Sequence, residues 1–465
     1  MAAVALAAIA TAIVISSQGG GRGLARVPAP GIARPAPAGD PLGYSSSRAA
    51  DLVARATAGE AYPLFVKTPG GAIATAGRVA AYRGLIDRVS AGSSVDPNLL
   101  EAIVFVESAG LPNAIAGSDP AGAAGLTQIL ASTGSALLGM HIELAASRRL
   151  TQRIALAELQ GRSALLARLQ RARARIDDRF EPRLALAATV RYLQLAEQRL
   201  GRPDLAIVSY HMGIGNLSQV LDEYNGGRPV PYVQLFFDTG PAQHPAAYRL
   251  LSGFGDQSWL YYWRVLGAVQ IMRLYRSNRP ALTRLAALQS ASDSDAEVLQ
   301  PPSTKVSFAD PSALATAYAN REIVPLPSNA SALALAYDPG MGAYAPMVGA
   351  PRRLYRGLRP EALALLIELA ARVRALSGVD APLIVLSSVT DERYQQQLGV
   401  SYPQGTTGYA FQIARRYAAP AQAAAFQAVL DRLQALNLIG WAAEPGAIDI
   451  TVASDAAEYI AANQP

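Results

Sequence analysis

The stretch "SVDPNLLEAIVFVESAG", residues 94–110, decides how the first half of the chain is read. Asp96 followed by Pro97 is helix-start chemistry, because a carboxylate can accept from the exposed N–H groups of a first turn and proline lacks the N–H that would otherwise go unpaired. Gly110 is placed to end the helix. Within it Leu100, Ile103 and Val104 share a face, and Glu107, four residues beyond Ile103, falls on that same apolar stripe. A carboxyl group held against apolar packing has its charged form disfavoured, so it keeps its proton toward neutrality. That is the property a general acid requires. The alternative is a glutamate that reaches solvent from the last turn.

Outward from this stretch, residues 49–276 carry apolar positions at three and four, the helical period. The polar segment "SASDSDAEVLQPPSTK" (290–305) reads as a linker. Beyond it, "RPEALALLIELAARVRALSG" and "AAAFQAVLDRLQALNLIG" read as helices, "APLIVLSSV" as a buried strand and "AIDITVA" as an alternating one. The expected organisation is a short apolar segment at 1–20, a Gly/Pro/Ala tract at 21–48, a helical domain at 49–289, a linker at 290–307 and an α+β domain at 308–465. The run "MAAVALAAIATAIVISSQ" is shorter than a full membrane span and reads as a signal-peptide core or short anchor, which would export the protein or hold it at a membrane.

The 465 residues exceed one ordinary core, and 51% hydrophobic residues argue for folded domains. With 41 Lys+Arg against 35 Asp+Glu the net charge is +6, far from the basic stripe of a nucleic-acid binder, so no nucleic-acid partner is expected. The chain has no cysteine, which excludes disulfides and thiolate metal sites, and its three histidines, His141, His211 and His244, are scattered. No cofactor and no metal is expected.

The residues after Glu107 sharpen the reading. "ESAGLPNAIAGSDPAGAAGLTQILAST" (107–133) resembles the signature of the soluble lytic transglycosylase (SLT) family, which is related in fold to goose-type lysozyme. Glu107-Ser108 fits its catalytic E-S, Gly122 to Gln128 its G-A-x-G-L-x-Q element, and Thr133 its threonine. "SYHMGIGNL" resembles the A-Y-N-A-G-x-G-N motif at Tyr210, Gly213, Gly215 and Asn216, and "RFEPRLALAATVRYL" resembles the helix before it. Thr127, Ala131 and His211 depart from the usual methionine, proline and asparagine.

The resemblance implies a mainly α, lysozyme-like catalytic domain that cleaves the MurNAc–GlcNAc β-1,4 bond of peptidoglycan glycan strands in the cell envelope, outside the cytoplasm. In the family one glutamate, here Glu107, acts as acid and then base, the substrate's acetamido group assists, and the product ends in 1,6-anhydro-MurNAc. Ser108 and Tyr210 would position Glu107 or the acetamido group. Gln128 would bind sugar or peptide, and Asn216 and His211 would complete the substrate site. Two other readings stay open: a muramidase that hydrolyses the same bond, with Asp177, Asp178 or Glu181 as its second acid, and a non-catalytic peptidoglycan-binding scaffold.

Between the motifs, "RRLTQRIALAELQGRSALLARLQRARARI" (148–176) reads as an inserted amphipathic hairpin or one long helix, dense in arginine. In the last domain, "GTTGYAFQIARRY" and "WAAEPGAIDITVA" resemble motifs of D-Ala-D-Ala carboxypeptidase-like zinc peptidases, with Gly405, Gln412 and Asp449 at the ligand positions and Glu444 near the place of the base. The resemblance implies a degenerate, inactive peptidase shell without its metal.

Overall fold

A computed structural model describes residues 40–291, 298–300 and 306–463. The apolar run 1–18, residues 21–39 of the Gly/Pro/Ala tract, and 292–297 and 301–305 of the linker lie outside the described residues. Among the described residues no helix is long and apolar enough to cross a membrane. The chain divides into two units: residues 61–232 with 254–286, and residues 40–60 with 233–253 and the chain from 287 onward. The first is the helical unit and the second the α+β unit.

In the helical unit Asp96 caps the Pro97–Ser108 helix, accepting from the Asn98 N–H at 2.8 Å, and Pro97 takes the first helical position. Leu100, Ala102, Ile103, Val104 and Phe105 are all inaccessible to solvent, so this helix is the buried centre of its unit rather than an amphipathic surface helix. It packs against the Tyr261–Ser277, Gly71–Ala80 and Arg83–Ser90 helices. Glu101, fully buried on it, is neutralised by Arg83 at 3.4 Å and by Arg276. The left-handed cap falls on Ala109 (φ 51°), one residue before the expected Gly110. Gly110 is also left-handed (φ 76°), and a Cβ there would lie 2.9 Å from the Arg78 Cβ.

A two-stranded antiparallel hairpin follows, β1 (Ala123–Ala124) against β2 (Ile129–Leu130). Its turn needs Gly125, at φ 83°, because a Cβ would sit 1.8 Å from the Arg179 carbonyl oxygen. The inserted stretch is a helical hairpin, Leu144–Leu159 and Ser163–Ala174, broken at Gly161 and packed around Ile154, Ala157 and Leu169.

The α+β unit contains the pair β3 (Val324–Pro325) and β5 (Gly357–Leu358), and a mixed five-stranded sheet. That sheet is built from β4 (Leu335–Tyr337), β6 (Leu383–Ser387), β7 (Ala410–Ala414), β8 (Ile439–Ala443) and β9 (Ala447–Val452), in the order β4-β6-β7-β9-β8. Only β4 and β6 run parallel. The Pro360–Ser377 and Pro420–Ala435 helices pack on each other and reach strands β9 and β8 respectively. The second helix ends at Ala435, with Asn437 turned to φ 54°, so "LNLIG" leads into β8 instead of prolonging the helix. Strand β9 lies between two neighbours and is buried on both faces except at Asp449, which replaces the expected alternation.

Residues 40–60 and 233–253 pack within this unit, although local sequence groups them with the preceding tract and the helical domain. The Ala49–Gly59 helix lies so close to the Pro420–Ala435 helix that a Cβ on Gly59 would be 2.2 Å from the Gln434 oxygen. Arg432 donates to the carbonyls of Phe237 at 2.8 Å, Phe236 at 3.2 Å and Thr239 at 2.6 Å.

Candidate active site

Glu107 lies on the last turn of the buried helix and keeps a partly exposed face in a cavity of about 270 Å³. Val106, Ala116, Ala123, Leu130 and Tyr261 wall that cavity, and Gln128, Tyr210 and His211 open onto it. Burial among these groups raises the Glu107 pKa from its ordinary 4.5 to about 8, against the opposing effect of the Tyr261 hydroxyl, which donates to Oε1 at 2.7 Å. At neutral pH the carboxyl group is therefore mainly protonated, as expected for a charge on an apolar stripe.

An aromatic stack holds this geometry. The Tyr261 ring lies 6.4 Å from Tyr210 and 5.1 Å from His211, nearly parallel to both, and Tyr192 meets Tyr210 edge-on at 5.2 Å. The Tyr210 hydroxyl donates to the Thr127 carbonyl at 2.7 Å, tying its helix to the β1–β2 turn. Burial and the neighbouring Glu107 push the Tyr210 and Tyr261 hydroxyl pKa values up, so both remain proton donors.

Gln128 adopts φ 50° and donates from Nε2 to the carbonyls of Gly125 at 2.8 Å and Ala114 at 3.1 Å. Its amide protons are used by backbone, so Oε1 is the atom it offers to the cavity. Below the turn, Arg179 holds the hairpin from inside. It forms a fully buried pair with Asp177 and donates to the carbonyls of Gly122 at 3.0 Å and Ile129 at 3.2 Å.

Not every residue singled out from sequence reaches the cavity. Ser108 is fully buried and donates to the Leu126 carbonyl at 2.6 Å, so it locks helix to hairpin behind the site. Asn216 donates to the Met212 carbonyl at 2.8 Å, bracing a helix turn. Asp177 is occupied by Arg179, Asp178 accepts from the His141 N–H at 2.8 Å, and Glu181 caps the Pro182–Leu200 helix through the Leu184 N–H. None of these three acids lines the cavity.

The second carboxylate in the cavity is instead Asp256, with Gln257 and Arg264 beside it. Asp256 accepts from the Ser258 N–H at 2.9 Å, and its Oδ2 lies 3.8 Å from His211 Nδ1, which also contacts Ser258 Oγ at 2.9 Å. Burial lowers the His211 pKa, with Asp256 opposing and Arg264 reinforcing that effect. Tyr261 and Asp256 were not legible as site residues, because no local pattern links them to a glutamate some 150 positions earlier.

In the α+β unit, Gln412 and Asp449 sit opposite each other on β7 and β9, and Gln412 Nε2 donates to Asp449 Oδ1 at 2.7 Å. Burial raises the Asp449 pKa, opposed by this hydrogen bond. A Cβ at Gly405 would lie 2.6 Å from the Tyr402 ring, so the third position has no room for a ligating side chain as folded. This donor set does not fit zinc, which takes three or more deprotonated or imidazole ligands. Among the described residues no group of three His, Cys, Asp or Glu is arranged to hold a metal ion.

Residues 84–151 match the family model described as the Transglycosylase SLT domain. The matched segment contains Glu107 and the β1–β2 hairpin, and stops inside the first helix of the inserted hairpin. No curated protein matches the chain.

Proposed function

We propose that the protein is an envelope lytic transglycosylase that cleaves the MurNAc–GlcNAc bond of peptidoglycan with Glu107 as its one acid and base. The SLT match supports transglycosylase chemistry on peptidoglycan generally. The observation that carries the finer reading is a glutamate held at a pKa of about 8 on a cavity wall, with a tyrosine hydroxyl fixing its carboxyl group.

Neutral Glu107 gives its proton to the glycosidic oxygen as the C1–O bond breaks, and GlcNAc leaves as an alcohol. The resulting Glu107 carboxylate, steadied by the Tyr261 hydroxyl, then takes the proton of the C6 hydroxyl while O6 bonds to C1. The cycle closes with Glu107 protonated and an anhydro ring on the product. The substrate's acetamido oxygen supplies the charge stabilisation at C1, and Gln128 Oε1 accepts from a sugar or peptide N–H or O–H. In the same proposal the α+β unit is a peptidase-like shell that has lost its metal chemistry, and residues 1–20 export or anchor the chain.

Hydrolysis by a muramidase is the second reading, and Asp256 favours it as a further carboxylate on the cavity wall. Digestion of purified peptidoglycan, with mass spectrometry of the muropeptide ends, separates the two. Anhydro ends that vanish in Glu107→Gln support the transglycosylase. Reducing ends that vanish in both Glu107→Gln and Asp256→Asn establish the muramidase, and no products from the wild-type chain would leave a scaffold.

A further inference from the structure

We propose that the outer surface of the inserted helical hairpin, residues 144–174, docks on an anionic lipid bilayer. The surface is strongly one-signed: between residues 144 and 174 stand seven arginines and a single acid, Glu158. Two of the arginines are accounted for. Arg148 pairs with Asp119 at 2.8 Å, and Arg173 is buried, its guanidinium 3.6 Å from the Phe180 ring and donating to Thr151 and Asn113. On the second helix Arg168 and Arg171, with Arg175 just beyond its end, are exposed along one stripe at i, i+3 and i+7. Arg149, Arg153 and Arg162 are exposed on the first helix and the turn, and among the described residues none of these six makes an ion pair.

Near the turn of the hairpin stand two leucines exposed outside its core. Leu159 is 72% exposed and Leu156 55%, whereas Leu169 is buried inside. The first helix ends at Leu159 and the chain turns at Gly161, which leaves Leu159 outside. Exposed arginines along both helices, with bare leucines near the turn, suit a bilayer interface, where phosphates take the guanidinium groups and the acyl boundary takes the leucines. A soluble wall polyanion would use the arginines but gain nothing from the leucines. Arg173 ties the base of the hairpin to Asn113, in the loop that leads to Ala116 on the cavity wall.

The absence of cysteine allows a direct test in the full chain. Gln160→Cys, on the exposed turn, takes one environment-sensitive fluorophore. Phosphatidylglycerol vesicles should shift its emission to the blue, and lipids brominated in the acyl chain should quench it. Phosphatidylcholine vesicles and soluble poly(glycerol phosphate) should do neither. Arg168→Glu with Arg171→Glu should raise the vesicle concentration needed by at least about twenty-five-fold, at about fivefold per arginine near an anionic surface. Leu156→Ser with Leu159→Ser should abolish acyl-chain quenching while circular dichroism stays unchanged. A response to soluble poly(glycerol phosphate) without quenching would assign the surface to a wall polymer and overturn the proposal. No response, or an equal one in the charge-reversed chain, would make it a solvated face. Because the label reports from the tip, an apolar N-terminal segment that binds lipid by itself does not mimic the result.

Discussion

Between pH 4.5 and about 8, Glu107 holds its proton more tightly in the folded chain than in the unfolded one. The folded state then binds more protons, so this residue's contribution to stability falls as pH rises through that window. Glu107→Gln removes the penalty: urea denaturation should find it about as stable as wild type near pH 4 and more stable near pH 9, by on the order of a few kcal/mol. Activity should move the other way, with glycan cleavage lower by roughly two to four orders of magnitude. Wild-type cleavage should hold through neutrality and fall with an apparent pKa near 8 as the acid form is lost. The Tyr261 hydroxyl favours the carboxylate over the neutral acid and so lowers the Glu107 pKa, so Tyr261→Phe should shift that alkaline limb upward and reduce kcat by about tenfold. An unshifted limb would show that the tyrosine only fills space.

Buried groups hold the β1–β2 hairpin from beneath. Arg179 spans the hairpin carbonyls and Asp177, and the Gly125 Cα sits against the Arg179 backbone. Removing the guanidinium leaves Asp177 buried with only Ser147 and backbone donors, so Arg179→Ala should cost about 3–5 kcal/mol in chemical denaturation. Gly125→Ala meets both a positive φ and a 1.8 Å contact, and should disorder the turn that carries Gln128. Hydrogen exchange would register this as lost protection over residues 123–130. The G-A-x-G-L-x-Q pattern was readable because each element is local, whereas its support came from residues more than fifty positions later. The three acids near the Pro182–Leu200 helix had the composition of a catalytic cluster but were consumed as a cap, a buried ion pair and a backbone acceptor.

At the scale of the whole molecule, the α+β unit is assembled from three separated pieces of chain. A fragment covering residues 308–463 lacks the Ala49–Gly59 helix and the carbonyls of Phe236, Phe237 and Thr239 that satisfy Arg432. It should aggregate or melt well below the α+β transition of the full chain in calorimetry. Zinc titration of the full chain should show no tight stoichiometric site, since Gln412 and Asp449 satisfy each other across the sheet. Sequence alone determined the features that live within one or two turns of chain: the Asp96–Pro97 start, Glu107 on an apolar stripe, the glycine turn, the helical character of the insertion and the strands at 383–387 and 447–452. Local propensity and side-chain period act over such distances, so they leave a readable pattern. Only the tertiary structure decided that Tyr261 holds Glu107, that Ser108 faces the hairpin, that Asp256 is the second acid of the cavity, and that residues 40–60 belong with the α+β unit. Those outcomes depend on which buried faces meet after long loops close, and packing between distant segments imposes no spacing on the sequence.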